Sequence, residues 1–538
     1  MKENVKRVFY VRYVAHPCYF EIIAQRPEIR LDKLENETAD NAAAPILATA
    51  HAYQIGSSRD ELNPRFYARG ELLARMPNLL VVSTNGAGFD TVDVKDCTEA
   101  GVLVVNQTGG NAEAVAAHVL AMVLALSKQI VQTNHALRRG TMRDRNAFMG
   151  SDLKGRTIGI VGIGNVGRRI AELCRGLLGM QVIACDPYLE EKTIAARGAI
   201  KVSLDELLGR ADFVSINCPL DEETRGMIGT REFALMQPHA YFIGSSRDEL
   251  NPRFYARGEL LARMPNLLVV STNGAGFDTV DVKDCTEAGV LVVNQTGGNA
   301  EAVAAHVLAM VLALSKQIVQ TNHALRRGTM RDRNAFMGSD LKGRTIGIVG
   351  IGNVGRRIAE LCRGLLGMQV IACDPYLEEK TIAARGAIKV SLDELLRRAD
   401  FVSINCPLDE ETRGMIGTRE FALMQPHAYF ITTARGFIHD ERALAEALRS
   451  KKIAGAGVDV WDKEPPAADH PLLEFENVIA TPHTAGMTRE ARANMGRIAA
   501  EQLVMTLDGK RPPRIVNPQV WPAYAERFER TFGFRPQG

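Results

Sequence analysis

The stretch GSSRDELNPRFYARGELLARMPNLLVVSTNGAGFD begins at Gly56 and begins again at Gly244, and the match runs for 188 residues, to Ile243 in the first copy and Ile431 in the second. One position differs, Gly209 against Arg397. Stacked solenoids repeat every ~20–50 residues, so this is a domain-sized block copied whole. HAYQI precedes the first copy and HAYFI the second, so a crossover at HAYxI would create the junction. Removing one block from the 538 residues leaves 350, a length suited to a single two-domain protein.

The rest of the composition narrows the class. A formal charge of +2, with 24% charged and 46% hydrophobic residues, gives no basic field for nucleic acid or for a membrane surface. The N-terminus meets Arg12, His16 and Pro17 before any signal-peptide core can form. The apolar run from Ala114 to Leu126 is interrupted by His118 and falls short of the ~18 residues of a membrane span, so it reads as a buried helix. Nine cysteines stand singly, without a CxxC pair or metal-ligand spacing, which points to a reducing, cytoplasmic setting and no metal.

The ancestral unit alternates strand-like and helical segments. Val5–Tyr13, Ile29–Leu34, Ala52–Ser57, Leu79–Ser83 and Leu103–Val105 read as strands, and Cys18–Ala24, Pro64–Met76 and Asn111–Val131 as helices. Continuous apolar runs of this kind belong to parallel sheets. RRGTMRDRNAFMGSD reads as the passage into a second α/β domain, which opens with the strand Thr157–Val161.

That strand leads directly into Gly162, Gly164 and Gly167 and then an apolar-periodic helix, and Asp186 ends the following strand. This is the dinucleotide fingerprint in its proper context: glycines for a tight turn and close backbone approach, a helix N-terminus for pyrophosphate, and an acid for the ribose hydroxyls. An acid there repels a 2′-phosphate, so NAD is favoured over NADP. The second copy repeats the motif as Gly350, Gly352, Asn353, Val354, Gly355 and Asp374.

Beyond the repeat, TTARGFIHD, GVDVWDKEPP and ATPHTAG hold Arg435, Glu464 and His483, each following a strand-like segment. In a doubly wound sheet such positions gather at the carboxyl ends of the strands, where a nicotinamide ring also lies. Singly, each has an ordinary explanation as a solvated Arg, a loop Glu or a core His. Together they suit acid–base chemistry on an anionic substrate.

TTARG, DVWDKEPP and TPHTAG, with NGAGFDTVD, GIGNVGRRIA and NCPLDEETRGMIG, resemble the signatures of the D-isomer-specific 2-hydroxyacid dehydrogenases over nearly all of the ancestral unit. The resemblance implies an α/β protein with a Rossmann cofactor domain, a flavodoxin-like substrate domain, a cleft between them and a homodimer formed through cofactor domains. It implies His483 as acid/base, Glu464 as its orienting carboxylate and Arg435 as the binder of a small 2-oxo or 2-hydroxy acid. It further implies Asp459 beside the nicotinamide amide, Cys406, Pro407, Thr432 and Thr433 along the cofactor cleft, and backbone N–H groups of Asn85-Gly86-Ala87-Gly88 or Asn273-Gly274-Ala275-Gly276 around the substrate carboxylate. Ser57, Ser58, Arg59 and Asn106 to Gly110 would shape the substrate pocket. Many relatives have AEH where this chain has Ala116-Ala117-His118 and Ala304-Ala305-His306. Formate dehydrogenase, a relative, is disfavoured because it would carry an amide in place of Glu464.

The duplication divides the chain into a substrate domain at 1–110, an incomplete cofactor domain at 111–243, a partial second substrate domain at 244–298, a complete cofactor domain at 299–487 and a returning segment at 488–538. Either residues 1–55 reach across to the second copy, leaving 56–243 surplus, or residues 432–538 reach back to the first. Continuity of the trio with the second copy favours the former. An NAD-sensing, corepressor-like binding protein and an inactive, duplication-damaged enzyme remain alternative readings.

Overall fold

A computed structural model of the chain describes residues 5–14, 17–56, 62–85, 91–106, 112–142, 144–218, 227, 235, 268–271 and 282–537. The first strands, β1 (Lys6–Val11), β2 (Ile29–Leu34), β3 (Ala52–Ile55), β4 (Val81–Thr84) and β5 (Leu103–Val105), form one parallel sheet in the order β2-β1-β3-β4-β5. This is the flavodoxin-like order. Its core holds Phe9 and Tyr53 stacked at 4.1 Å.

The described residues up to Ile55 therefore stay with the first copy, β3 pairing directly with β4, contrary to the expectation that residues 1–55 reach across to the second. Pairing β3 with the second copy instead would lengthen the closing loop by roughly three doublings, about 2 kcal/mol of chain entropy. Residues 432–537 likewise stay with the second copy. The returning segment covers β10 (Val269–Ser271) and β11 (Leu291–Val293), with Val520, Trp521, Tyr524 and Phe528 packed on Leu291 and Val293.

The first cofactor unit has four described strands, β6 (Thr157–Val161), β7 (Gln181–Cys185), β8 (Ile200–Lys201) and β9 (Phe213–Ile216), in the order β8-β7-β6-β9. The second has seven: β12 (Thr345–Val349), β13 (Gln369–Cys373), β14 (Ile388–Lys389), β15 (Phe401–Ile404), β16 (Tyr429–Thr432), β17 (Gly455–Val458) and β18 (Val478–Ala480). They run β14-β13-β12-β15-β16-β17-β18, all parallel, with the order reversing between β12 and β15. That reversal is the crevice at which open α/β sheets bind dinucleotides.

The helix expected from Asn111 to Val131 is two, Ala112–Ser127 and Ile130–Arg138, bent by 58°. Gln129 turns the chain with φ +51°, its side chain donating to Met149 O, and Lys128 is buried in an ion pair with Asp152. These tertiary partners override the run of apolar residues. Pro64–Met76 is similarly a short 3-10 turn, Pro64–Phe66, and one helical turn, Gly70–Leu73. A helix at Asp40–Leu47, despite Pro45, was not expected. Among the described residues no single helix is long and apolar enough to cross a membrane.

The identical helices Ala112–Ser127 and Ala300–Ser315 pack against each other and share one apolar core. The first copy thus buries surface against the second and is not a surplus insert. Its own outer face, however, is bare: Met122, Leu126 and Ile216 are exposed, whereas their twins Met310, Leu314 and Ile404 are buried. In the second copy, strands β16 and β17 cover that face.

Candidate functional site

The glycine loop after β12 is shaped by contacts that only glycine tolerates. Gly350 takes φ +82°, and a Cβ there would meet Cys406 N at 2.8 Å. At Gly355 a Cβ would overlap the carbonyl oxygen of Gly350, so the helix Asn353–Leu366 starts hard against the strand. Around Gly352 nothing lies within 4 Å of a Cβ position. Two tight glycines and one open one give a backbone cradle at a helix N-terminus, the shape a pyrophosphate requires. Asp374 closes the far side: its carboxylate accepts from Ile351 N at 3.1 Å and Tyr376 N at 3.2 Å. A cleft lined by Cys373, Asp374, Pro375, Lys389 and Ser391 opens beside it, where an adenosine would lie. The first copy folds its loop the same way, with Gly162 at φ +81°, Gly164 open, Gly167 pressed on Gly162 O and Asp186 accepting from Ile163 N.

Cys406 follows β15 and lies against Gly350; burial pushes its thiol up to about 12, so it is a neutral wall group. Thr432, the last residue of β16, and Thr433 just after it have buried hydroxyl oxygens that lack a protein partner. Such orphaned hydroxyls next to the cradle suit polar groups of a bound dinucleotide. The residues present therefore fit NAD. Residues 86–90 and 272–280, which include Gly86, Ala87, Gly88, Gly274, Ala275 and Gly276, lie outside the described residues, as do Ser57, Ser58 and Arg59.

His483 and Glu464 meet beyond the carboxyl ends of β18 and β17, and Arg435 follows the carboxyl end of β16. His483 Nδ1 lies 2.7 Å from Glu464 Oε2, both side chains about three-quarters buried. Glu464 Oε1 accepts from Trp461 N at 3.2 Å. Arg435 follows β16 and donates to Ala434 O. The next residue, Gly436, presses on Trp461 O, and Asp462 Oδ1 accepts from Phe437 N at 2.6 Å, so the Arg435 loop and the Glu464 loop abut.

His483 sits in the left-handed region, φ +57°, a conformation costing a non-glycine residue about 1 kcal/mol or more. Asp459 stabilises it. Its carbonyl accepts from His483 N, and its fully buried carboxylate accepts from Thr481 Oγ1 at 2.6 Å, Thr484 N at 2.8 Å and Ala485 N at 3.0 Å. The carboxylate expected beside the nicotinamide amide thus also braces the turn that carries the histidine. Behind it, His306 Nε2 lies 3.2 Å from Thr481 Oγ1, and burial drives the His306 imidazole down to about 4, keeping it neutral. In the sequence His306 stands out only within the departure from AEH; its support of the Asp459–Thr481 turn depends on a partner 175 residues away.

A glycine cradle at a helix N-terminus and an imidazole–carboxylate pair thus stand at the carboxyl ends of one parallel sheet, where open α/β sheets bind their ligands. The family model for the NAD binding domain of D-isomer specific 2-hydroxyacid dehydrogenases matches residues 120–252 and 308–485, and the chain belongs to that family. It is 38% identical over 266 residues to a D-3-phosphoglycerate dehydrogenase of Archaeoglobus fulgidus, covering 49% of this chain and 50% of the relative. It is 40% identical over 268 residues to a glyoxylate reductase of Aeropyrum pernix, covering 49% of this chain and 80% of the relative. The chain thus spans about half the length of the phosphoglycerate dehydrogenase. Among solved structures, the TT0316 protein of Thermus thermophilus aligns with a TM-score of 0.46 at 26% identity, over 67% of this chain and 99% of that one. The cofactor of the matched domain is NAD.

Proposed function

We propose that this protein is an NAD-dependent oxidoreductase that interconverts a small 2-oxo acid and the corresponding D-2-hydroxy acid, with one catalytic site in the second cofactor domain. The 2.7 Å contact between His483 and Glu464 carries the reading. With Nδ1–H donating to the carboxylate, Nε2 is the nitrogen that gives a proton to the substrate carbonyl oxygen in reduction and takes it back in oxidation. An imidazole titrates near neutrality and suits both directions. Glu464 fixes the ring and stabilises the imidazolium, while Arg435 binds the substrate carboxylate with its guanidinium fork. NAD, when bound, supplies or accepts the hydride. Gly350, Gly352, Asn353, Val354 and Gly355 hold its pyrophosphate, and Asp374 its ribose. Thr432, Thr433, Cys406 and Pro407 line its cleft. The nine free thiols fit a reducing cytoplasm.

The test is NADH oxidation with glyoxylate, pyruvate, hydroxypyruvate and phosphohydroxypyruvate, using the full chain and His483→Ala. The variant is expected to lose about 10²–10⁴-fold in kcat while binding NADH normally. Equal rates from both proteins would remove His483 from the chemistry. NADH binding without turnover of any 2-oxo acid would favour the sensor reading instead.

A further inference from the structure

The two copies meet as two subunits of a symmetric pair would. Arg169 donates to Leu365 O at 2.7 Å, and its twin Arg357 donates to Leu177 O. The rings of His135 and its twin His323 meet edge-on, with centroids 6.0 Å apart. Each contact recurs with the copies exchanged, the mark of an isologous interface, here within one chain.

A second set of contacts is made in one direction only. Residues 134–156 of the first copy dock on residues 464–492, which occur once in the sequence. Asn134 Oδ1 accepts from Ala480 N at 3.0 Å, and Arg138 donates to the carbonyls of Leu473, Phe475 and Val478, closing the edge at β18. Gly150 N donates to Met487 O, Glu490 accepts from Asp152 N and Arg156, and Arg492 donates to Asn146. At the centre of this strip, Arg145 Nη1 lies 3.7 Å from Glu464 Oε2, with the arginine side chain 18% exposed. The twin strip in the second copy is left open: Leu325 is 61% and Met337 72% exposed, where Leu137 is 3% and Met149 4%.

We propose that the first copy acts as a built-in partner that completes the catalytic site of the second, and that Arg145 is the positioning residue it contributes, holding the Glu464 carboxylate against His483. This rests on the assignment of His483 and Glu464 made above. Glu464 stands on a loop, and Oε2 is shared between the imidazole and the guanidinium. Removing the guanidinium leaves Oε1 on Trp461 N but takes the charge partner from Oε2, so the carboxylate's hold on the imidazole loosens and the proton-transfer step slows. Arg435 and the glycine cradle are untouched, so KM for the oxo acid and NADH affinity stay the same.

The experiment measures kcat and KM with NADH and the best 2-oxo acid of the panel for full-length wild type, Arg145→Ala, Arg145→Gln, Arg145→Lys, Arg333→Ala and His483→Ala. Arg333 is the twin of Arg145 in the second copy. Arg145→Ala and Arg145→Gln should each lower kcat about fivefold, the worth of a part-buried charge pair, with KM within about twofold. Arg145→Lys should recover most of the rate, and Arg333→Ala should match wild type. The glutamine variant keeps the test usable if the alanine variant does not fold. Wild-type kcat in both neutral variants, an equal loss in Arg333→Ala, or no recovery with lysine would overturn the proposal. Full activity in His483→Ala would instead overturn the catalytic assignment beneath it.

Discussion

Leu137 and Leu325 occupy the same position in the two copies, in helices of the same sequence, and differ only in what covers them. Leu137 is 3% exposed and belongs to the apolar cluster that includes Leu473, Val478 and Ala480; Leu325 is 61% exposed. Truncating a buried leucine to alanine costs about 2–5 kcal/mol, through lost transfer energy and the cavity left behind. The same truncation on the surface stays within about 0.5 kcal/mol. At roughly 2–4 °C per kcal/mol for a domain of cofactor-domain size, Leu137→Ala should lower the melting temperature by about 6–12 °C at a central cost of ~3 kcal/mol. Leu325→Ala should shift it by no more than about 2 °C. Both variants are to be heated at one scan rate and one concentration, followed by circular dichroism. Equal losses would refute the one-sided docking, because they would mean that both strips are covered in solution.

Gly355→Ala should abolish NADH binding and turnover, whereas Gly167→Ala, which meets the same overlap in the first copy, should leave turnover intact; fluorescence titration and steady-state rates distinguish the two. Asp374→Asn should narrow the preference for NADH over NADPH by on the order of tenfold through lost charge repulsion, read from kcat/KM for the two cofactors. His439 is buried with neither ring nitrogen bonded to a protein partner, and burial drives its pKa down to about 4. Its folded pKa lies below the unfolded value near 6.5, so the stability it contributes is full above pH ~6.5 and is lost as pH falls towards 4. His439→Leu should flatten the fall in melting temperature across that window, and an unchanged slope would clear this histidine of the effect. Deleting residues 244–431 leaves one substrate domain and one whole cofactor domain, whose interface strip then needs a second chain. Light scattering should find that variant dimeric and more soluble, and the full chain monomeric.

Local patterns made much of the site legible. The fingerprint strand, its glycines and Asp374 occupy consecutive positions whose spacing carries the physics, and Arg435, Glu464 and His483 each follow an apolar strand by a few residues. What could not be read was pairing over distance. Met122 and Met310 sit in identical helices, yet one is 41% exposed and the other fully buried, because β16 and β17 cover only the second. No property of the helix sequence distinguishes them. Arg145 was equally hidden: it lies in a charged, loop-like run, and its carboxylate partner is 319 residues away. The break at Gln129 escaped for a related reason, since the apolar run continues through it while Lys128 and Gln129 turn inward to Asp152 and Met149.

The paired rings of His135 and His323 mark an axis across which the chain no longer has to be symmetric. In a homodimer, a substitution at such an axis is made twice, and a clash or a gain appears on both sides at once. Here either histidine can change while the other stays, so a bulky residue can be answered by a small one and a charge by its opposite. The fused pair is therefore open to divergence that a pair of identical subunits cannot explore, with one half free to specialise in support and the other in chemistry. Gly209 against Arg397 is so far the single position at which the copies differ.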